Sequence, residues 1–258
     1  MRTLFNDESA EKMAKENFLN EIMPYLQRNY SYICQYTPNH ELREYLYSLV
    51  EQAEEIGFTQ RGPVRFFVDM TIVLGSNFIT DPSYYWISQF LEEHQSLDQL
   101  EMSMLLHKKV NHYLNQVMSD EYQRWKQIKE SLLFLINQNK QEPEYTFYIT
   151  GFEEYILRKL ALIYPEKYHL LSEEALAHFV LQAREKAQQN YSFRGSKEEL
   201  FVIVLMFIFG HEFDQTPLLA WAKTHREKSN EYGYIAGIED KTLNWISILM
   251  EHYSTQRE

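Results

Sequence analysis

His211-Glu212-Phe213-Asp214-Gln215 is the stretch whose residue types come closest to chemistry. It opens like the His-Glu-x-x-His motif of zinc proteases, where two imidazoles one helical turn apart share a metal and the glutamate serves as base. Gln215 stands where the second histidine would be needed, so the two ligands cannot share a helical face. His107 and His112 are five residues apart, which puts them on different helix faces, and no carboxylate pair is spaced to complete a facial metal triad with them. They read as solvated or capping side chains. No Gly-x-x-x-x-Gly-Lys-Ser/Thr, Gly-x-Ser-x-Gly, Cys-x-x-Cys or Gly-x-Gly-x-x-Gly occurs. The sequence thus names no catalytic residue, metal site or cofactor. His211, Glu212 and Asp214 are the cluster on which an enzyme of unfamiliar type would have to rest.

Other polar residues point to contacts. Arg65 and Asp69 are four apart in an otherwise apolar stretch. That is the spacing of an intrahelical ion pair, or of an Arg–carboxylate contact across a helix or partner interface. Tyr84 and Tyr85 follow Asp81-Pro82 directly, and tyrosine is a favoured interface anchor, with core packing the alternative. The candidate partner-binding residues are Arg61, Arg65, Asp69, Asp81, Tyr84, Tyr85, His211 and Asp214.

The elements that must position these residues are written twice. Gly75-x-x-Phe78-x-x-x-Pro82-x-x-x-Trp86 recurs as Gly210-x-x-Phe213-x-x-x-Pro217-x-x-x-Trp221, at a constant offset of 135. Upstream, Phe18, Tyr30, Leu42 and Ala53 match Phe152, Tyr164, Leu176 and Ala187 at an offset of 134. Repetition of this kind sets the architecture. Helical periodicity marks a first helix over 8–33 with a counterpart near 147–163. A second is capped by Thr37-Pro38 and matched by one from Ser172 to about Gln189. Irregular Arg-Gly turns follow, at Arg61-Gly62 and Arg194-Gly195.

The most apolar helices are Pro63 to Leu74 and Ser196 to Phe209, each ending at a glycine suited to a left-handed C-terminus. Pro82 and Pro217 open the next helices behind caps from Thr80-Asp81 and Gln215-Thr216, and the last helices are near 97–117 and 239–254. Ser119 to Asn137 reads as an extra amphipathic helix with Tyr122, Trp125, Ile128, Leu132 and Leu135 on one stripe, and Asn137 to Glu144 as a polar connector. The predicted fold is all-α: two tandem divergent helical repeats of about five helices, over 1–117 and 147–258, joined by a connecting helix and linker over 118–146.

Composition agrees. Only 8 glycines and 7 prolines occur, which favours long helices over tight turns. A net charge of −12 opposes binding to phosphate backbones and suits a basic protein partner. Cys34, the single cysteine, has no partner for a disulfide and reads as a small buried apolar residue. Leu200 to Phe209, the longest apolar run, is about half a bilayer span, and the start lacks a signal-peptide pattern. The expectation is a cytoplasmic protein with neither nucleic acid nor membrane as partner.

Ile56-Gly57-Phe58-Thr59-Gln60-Arg61-Gly62-Pro63-Val64-Arg65-Phe66-Phe67-Val68-Asp69, continued by Leu74 to Trp86, resembles an uncharacterised bacterial protein family encoded beside spike and effector genes of type VI secretion systems. The likeness is close over 56–86 and loose over 10–117. Tyr85 departs from it, since relatives often carry a second proline there. The resemblance implies an accessory of a secreted toxin or spike component, acting as adaptor or chaperone or as an immunity protein. It transfers no catalytic residue. The expected function is non-catalytic binding of the effector to hold and load it, with neutralisation of a basic, nuclease-like toxin as the alternative.

Overall fold

A computed structural model describes residues 7–141, 151–191, 193, 196–223 and 231–255. Among the described residues the chain is all-helical, with no strand. The helices are α1 (Asp7–Asn29), α2 (Ser31–Tyr36), α3 (Asn39–Glu55), α4 (Arg61–Leu74), α5 (Tyr85–Glu93), α6 (Gln99–Val117), α7 (Glu121–Gln141), α8 (Phe152–Ile163), α9 (Pro165–Leu170), α10 (Glu173–Tyr191), α11 (Lys197–Phe209) and α12 (Glu231–Thr255). Short 3-10 turns stand at Pro82–Tyr84 and Pro217–Leu219, the second leading into a helix that opens at Ala220.

Four helices precede each of the two 3-10 turns, α1 to α4 the first and α8 to α11 the second. α2 and α9 are each six residues long and stand 134 apart, and the two turns stand 135 apart. Asp81 and Thr216 cap them, each side chain accepting from the backbone N–H two residues on, with proline in the first turn. α3 packs against the second turn and α10 against the first, so each half holds the corner of the other. Buried residues from Phe18 to Leu249 form one contiguous cluster spanning both halves.

The halves meet where α4 and α11 end. Gly75 (φ 102°, ψ 159°) and Gly210 (φ 96°, ψ 153°) lie against each other. A Cβ on Gly75 would stand 2.5 Å from the carbonyl oxygen of Phe209, and one on Gly210 would stand 3.1 Å from the Cα of Gly75. Positive φ with extended ψ is open only to glycine, and so close a backbone approach leaves no room for a side chain. These glycines therefore turn by an extended conformation, not by the left-handed helical one anticipated. The equivalent Asn77 and Glu212 also meet, the Asn77 amide donating to the Glu212 carboxylate.

Several element boundaries differ from the sequence reading. The first helix breaks at Tyr30 into α1 and α2. Thr37 is not a cap: its hydroxyl donates to the Pro217 carbonyl at 2.7 Å across the halves, and Pro38 takes the cap position. Arg61 and Gly62 belong to the first turn of α4 and not to a loop, the helix starting behind Gln60. α7 runs on to Gln141, past the expected start of the connector, and α12 begins at Glu231 instead of 239. Arg194-Gly195 and the rest of the connector, 142–150, lie outside the described residues.

Candidate functional site

Asp81 stands at the seam between the halves, 1% exposed. Its carboxylate accepts from the Ser83 N–H at 2.8 Å and the His211 N–H at 3.2 Å, and lies 3.2 Å from His211 Nδ1. Burial pushes its pKa up, but the hydrogen bonds from His211 and the charge of Lys167 outweigh that and hold the group below the ordinary carboxylate range. On the far side of His211, Nε2 lies 3.4 Å from Thr80 Oγ1. The tempting histidine–carboxylate pair is thus an interior clasp between the two corners.

Lys167, on α9, is fully enclosed. Its ammonium donates to the Phe207 carbonyl at 2.7 Å and the Tyr84 hydroxyl at 3.1 Å, and sits over both rings at 4.9 and 4.7 Å. Burial depresses its pKa to about 8, against the opposing pull of Asp81. It lines a cavity of about 380 Å³ that also takes in Tyr30, Tyr84, Tyr113, Trp125 and Tyr164. The Trp125 indole N–H there is buried without a hydrogen-bond acceptor. Burial raises the phenol pKa of Tyr84, Tyr113 and Tyr164, so these hydroxyls stay protonated at physiological pH beside the Lys167 ammonium.

The third feature faces outward. Pro63, Val64, Phe67, Val68, Met70, Thr71 and Leu74 turn α4 into the core, leaving Arg61, Arg65, Asp69 and Val73 on the opposite stripe. Arg65 and Asp69 do not form the expected direct ion pair. Asp69 accepts from the Tyr25 hydroxyl at 2.9 and 3.0 Å and from Tyr30 at 3.3 Å, while the Arg65 guanidinium lies 4.7 Å over the Tyr25 ring. Burial raises the Asp69 pKa, and the two phenols and Arg65 oppose it. Arg61 pairs with Glu21 at 2.8 Å. His107 packs edge-on against Phe66 at the margin of this face.

The structure sorts the sequence candidates into two places. Arg61, Arg65 and Asp69 share the outer face of α4, and Tyr85 is 67% exposed. Asp81, Tyr84, His211 and Asp214 are buried, so they are not surface contacts for a partner: the corners that carry them fold into the seam. Phe78 and Phe213 are core, and Trp86 and Trp221 are half-buried against it. His107 and His112 are exposed, and among the described residues no group of three or more His, Cys, Asp or Glu could hold a metal ion. Cys34 is only half-buried. Lys167 was missed, hidden in the polar run Pro165-Glu166-Lys167-Tyr168. Its apolar counterpart Ile33, 134 residues earlier, was the signal that the position is interior. Compared with known protein families, curated proteins and solved structures, the chain matches none.

Proposed function

We propose that this is a non-catalytic binding protein made of two divergent copies of one helical unit joined by α7, and that it serves in the cytoplasm as an accessory of a type VI secretion effector, holding the effector and loading it for delivery. The resemblance over Ile56–Trp86 supports the biological setting, and that stretch contains α4. The observation that carries the binding reading is the outer face of α4. It presents Arg65 and Val73 to solvent, while the equivalent positions of α11, Leu200 and Ile208, are sealed inside. A helix that keeps the same inner packing but turns a mixed charged and apolar stripe outward has the make-up of a contact surface.

Co-expression with the protein encoded by the neighbouring effector gene should give a stable complex, and deletion of this chain should abolish that effector's secretion. Failure of both would end the reading. The net charge of −12 favours one rival, an immunity protein that occludes a basic toxin. Rescue of cells expressing the isolated toxin domain would support the rival, whereas an adaptor gives no rescue and binds the delivery domain.

A further inference from the structure

The cavity that Lys167 lines lies on the seam and draws equivalent residues from both halves. Tyr30 lines it together with Tyr164, Ile33 with Lys167, and Leu74 with Phe209, the members of each pair standing 134 or 135 apart. Asn29, Val73, Asn115 and Glu121 of the lining are exposed, so the cavity reaches solvent where α1, α4 and α6 end and α7 begins. Lys167 and Thr216, also on the lining, are buried at 1% and 3% exposure. At about 380 Å³ the space is in the range of small-molecule sites, and a position between two packed units is a common one for them.

Two buried donors on this lining lack a full set of acceptors. The Lys167 ammonium carries three N–H bonds, and the Phe207 carbonyl and the Tyr84 hydroxyl take two of them. Neither partner is an anion, and Asp81 acts on Lys167 through its charge without forming a salt bridge to it. The Trp125 side chain is 7% exposed, and its indole N–H has no acceptor among the described residues. A buried ammonium without a counter-anion and a buried N–H without an acceptor both cost stability. A ligand that brings a negative oxygen to Lys167 relieves the first, and any further oxygen along the wall can relieve the second.

We infer that this cavity is a binding site for a small organic acid, its carboxylate held by Lys167 and its apolar body lying along the aromatic and aliphatic wall, where Trp125 offers a further donor. The lining selects a single negative charge. Burial holds the other basic group, His252, below its ordinary pKa and so neutral at physiological pH, which leaves Lys167 as the one cation of the described lining. The buried carboxylate of Asp81 bears on that cation already and repels a second negative charge, so a phosphate dianion is a poor fit. Tyr32, Ile33, Leu74, Ile208 and Leu218 are buried on the same lining and ask for an apolar body. Because Ile33 stands in the first half where Lys167 stands in the second, the two walls are unlike, and a molecule charged at one end matches them.

The test titrates the whole chain by calorimetry with octanoate and with phenylpropionate, each beside its uncharged amide. The acids should bind at a single saturable site, and each amide should bind about tenfold more weakly or not at all. The tighter of the two acids tells whether the wall takes a chain or a ring. Lys167→Met, checked for helicity by circular dichroism, should erase the preference for acid over amide. On wild type, the Trp125 indole N–H signal, assigned among the four tryptophans with Trp125→Phe, should shift in step with acid binding in nitrogen–proton correlation spectra. Equal affinity for acid and amide on wild type would overturn the proposal, and that comparison needs no variant to fold. So would an acid preference that survives Lys167→Met, or the absence of both heat and Trp125 shift with either acid, since the cavity would then hold water only. No effector enters these measurements, so failure of the acids to bind leaves the effector reading standing, and loss of the effector complex leaves this site.

Discussion

α4 and α11 occupy matching places, end at touching glycines and bury the same inner face, yet one is open on its outer side and the other is enclosed. Every residue of α11 from Glu199 to Phe209 is buried, while α4 leaves Arg61, Arg65 and Val73 in water. The difference lies in what covers them. α11 packs along α8 and α10 and meets α7 near its two ends, through Phe209 on Trp125 and Lys197 on Asn139, and each sequence has adapted: unbroken hydrophobicity where the helix is enclosed, a stripe of charge where it is open. A central helix of this fold tolerates either surface, so its outer face is free to specialise while its inner face and terminal glycine hold the architecture.

The sharpest way to break the comparison is to exchange the two faces. Val204→Asp puts the residue found at the matching position of α4 into a site with no solvent exposure. It should cost about 4 kcal/mol or more and abolish folding on expression, measured as loss of soluble protein. Gly75→Ala attacks what the helices share. With φ at 102° and a backbone oxygen 2.5 Å from the new Cβ, it should cost about 3 kcal/mol or more in urea titrations, above Gly210→Ala, whose nearest contact is 3.1 Å.

Asp81→Ala removes an acceptor shared by two buried N–H groups and the negative charge near Lys167, for about 3 kcal/mol. The corresponding cap of the other half, Thr216→Ala, involves no charge and should cost about 1 kcal/mol.

The buried lysine gives this asymmetry a pH signature. The folded-state pKa of Lys167 lies near 8, below its usual 10.5, so between those values the unfolded chain holds more protons and stability should rise with pH. Above about 10 the buried tyrosines, their pKa values raised, reverse the slope, because the unfolded chain then loses protons first. Lys167→Met should remove the rise between pH 8 and 10 and keep the fall, as read from urea midpoints across pH. The smallest effect belongs to the open face. Asp69→Val, the reciprocal of Val204→Asp, forfeits bonds from two phenols that can turn to water and should cost about 1 kcal/mol.

Much of this was readable in advance because local signals agreed with one another. Asp81 and Thr216 cap the turns that Pro82 and Pro217 open, and Gly75 and Gly210 stop the apolar helices. The candidate site was read less well. Asp81 and His211 look like surface chemistry because charge near a proline usually faces solvent, and only the crossing of the two corners buries them against each other. Arg65 and Asp69 have ion-pair spacing, but Tyr25, more than forty positions earlier, takes the carboxylate and lies under the guanidinium. Lys167 had no local mark at all.

What the sequence by itself determined is the order, kind and approximate extent of the helices, since periodicity, caps and breakers act over a few residues. What the tertiary structure decided is which of two matching faces is covered, which charges are interior and where the halves touch. Those depend on residues about 130 apart meeting at glycines and on which helices pack along each central helix, and no local pattern records either.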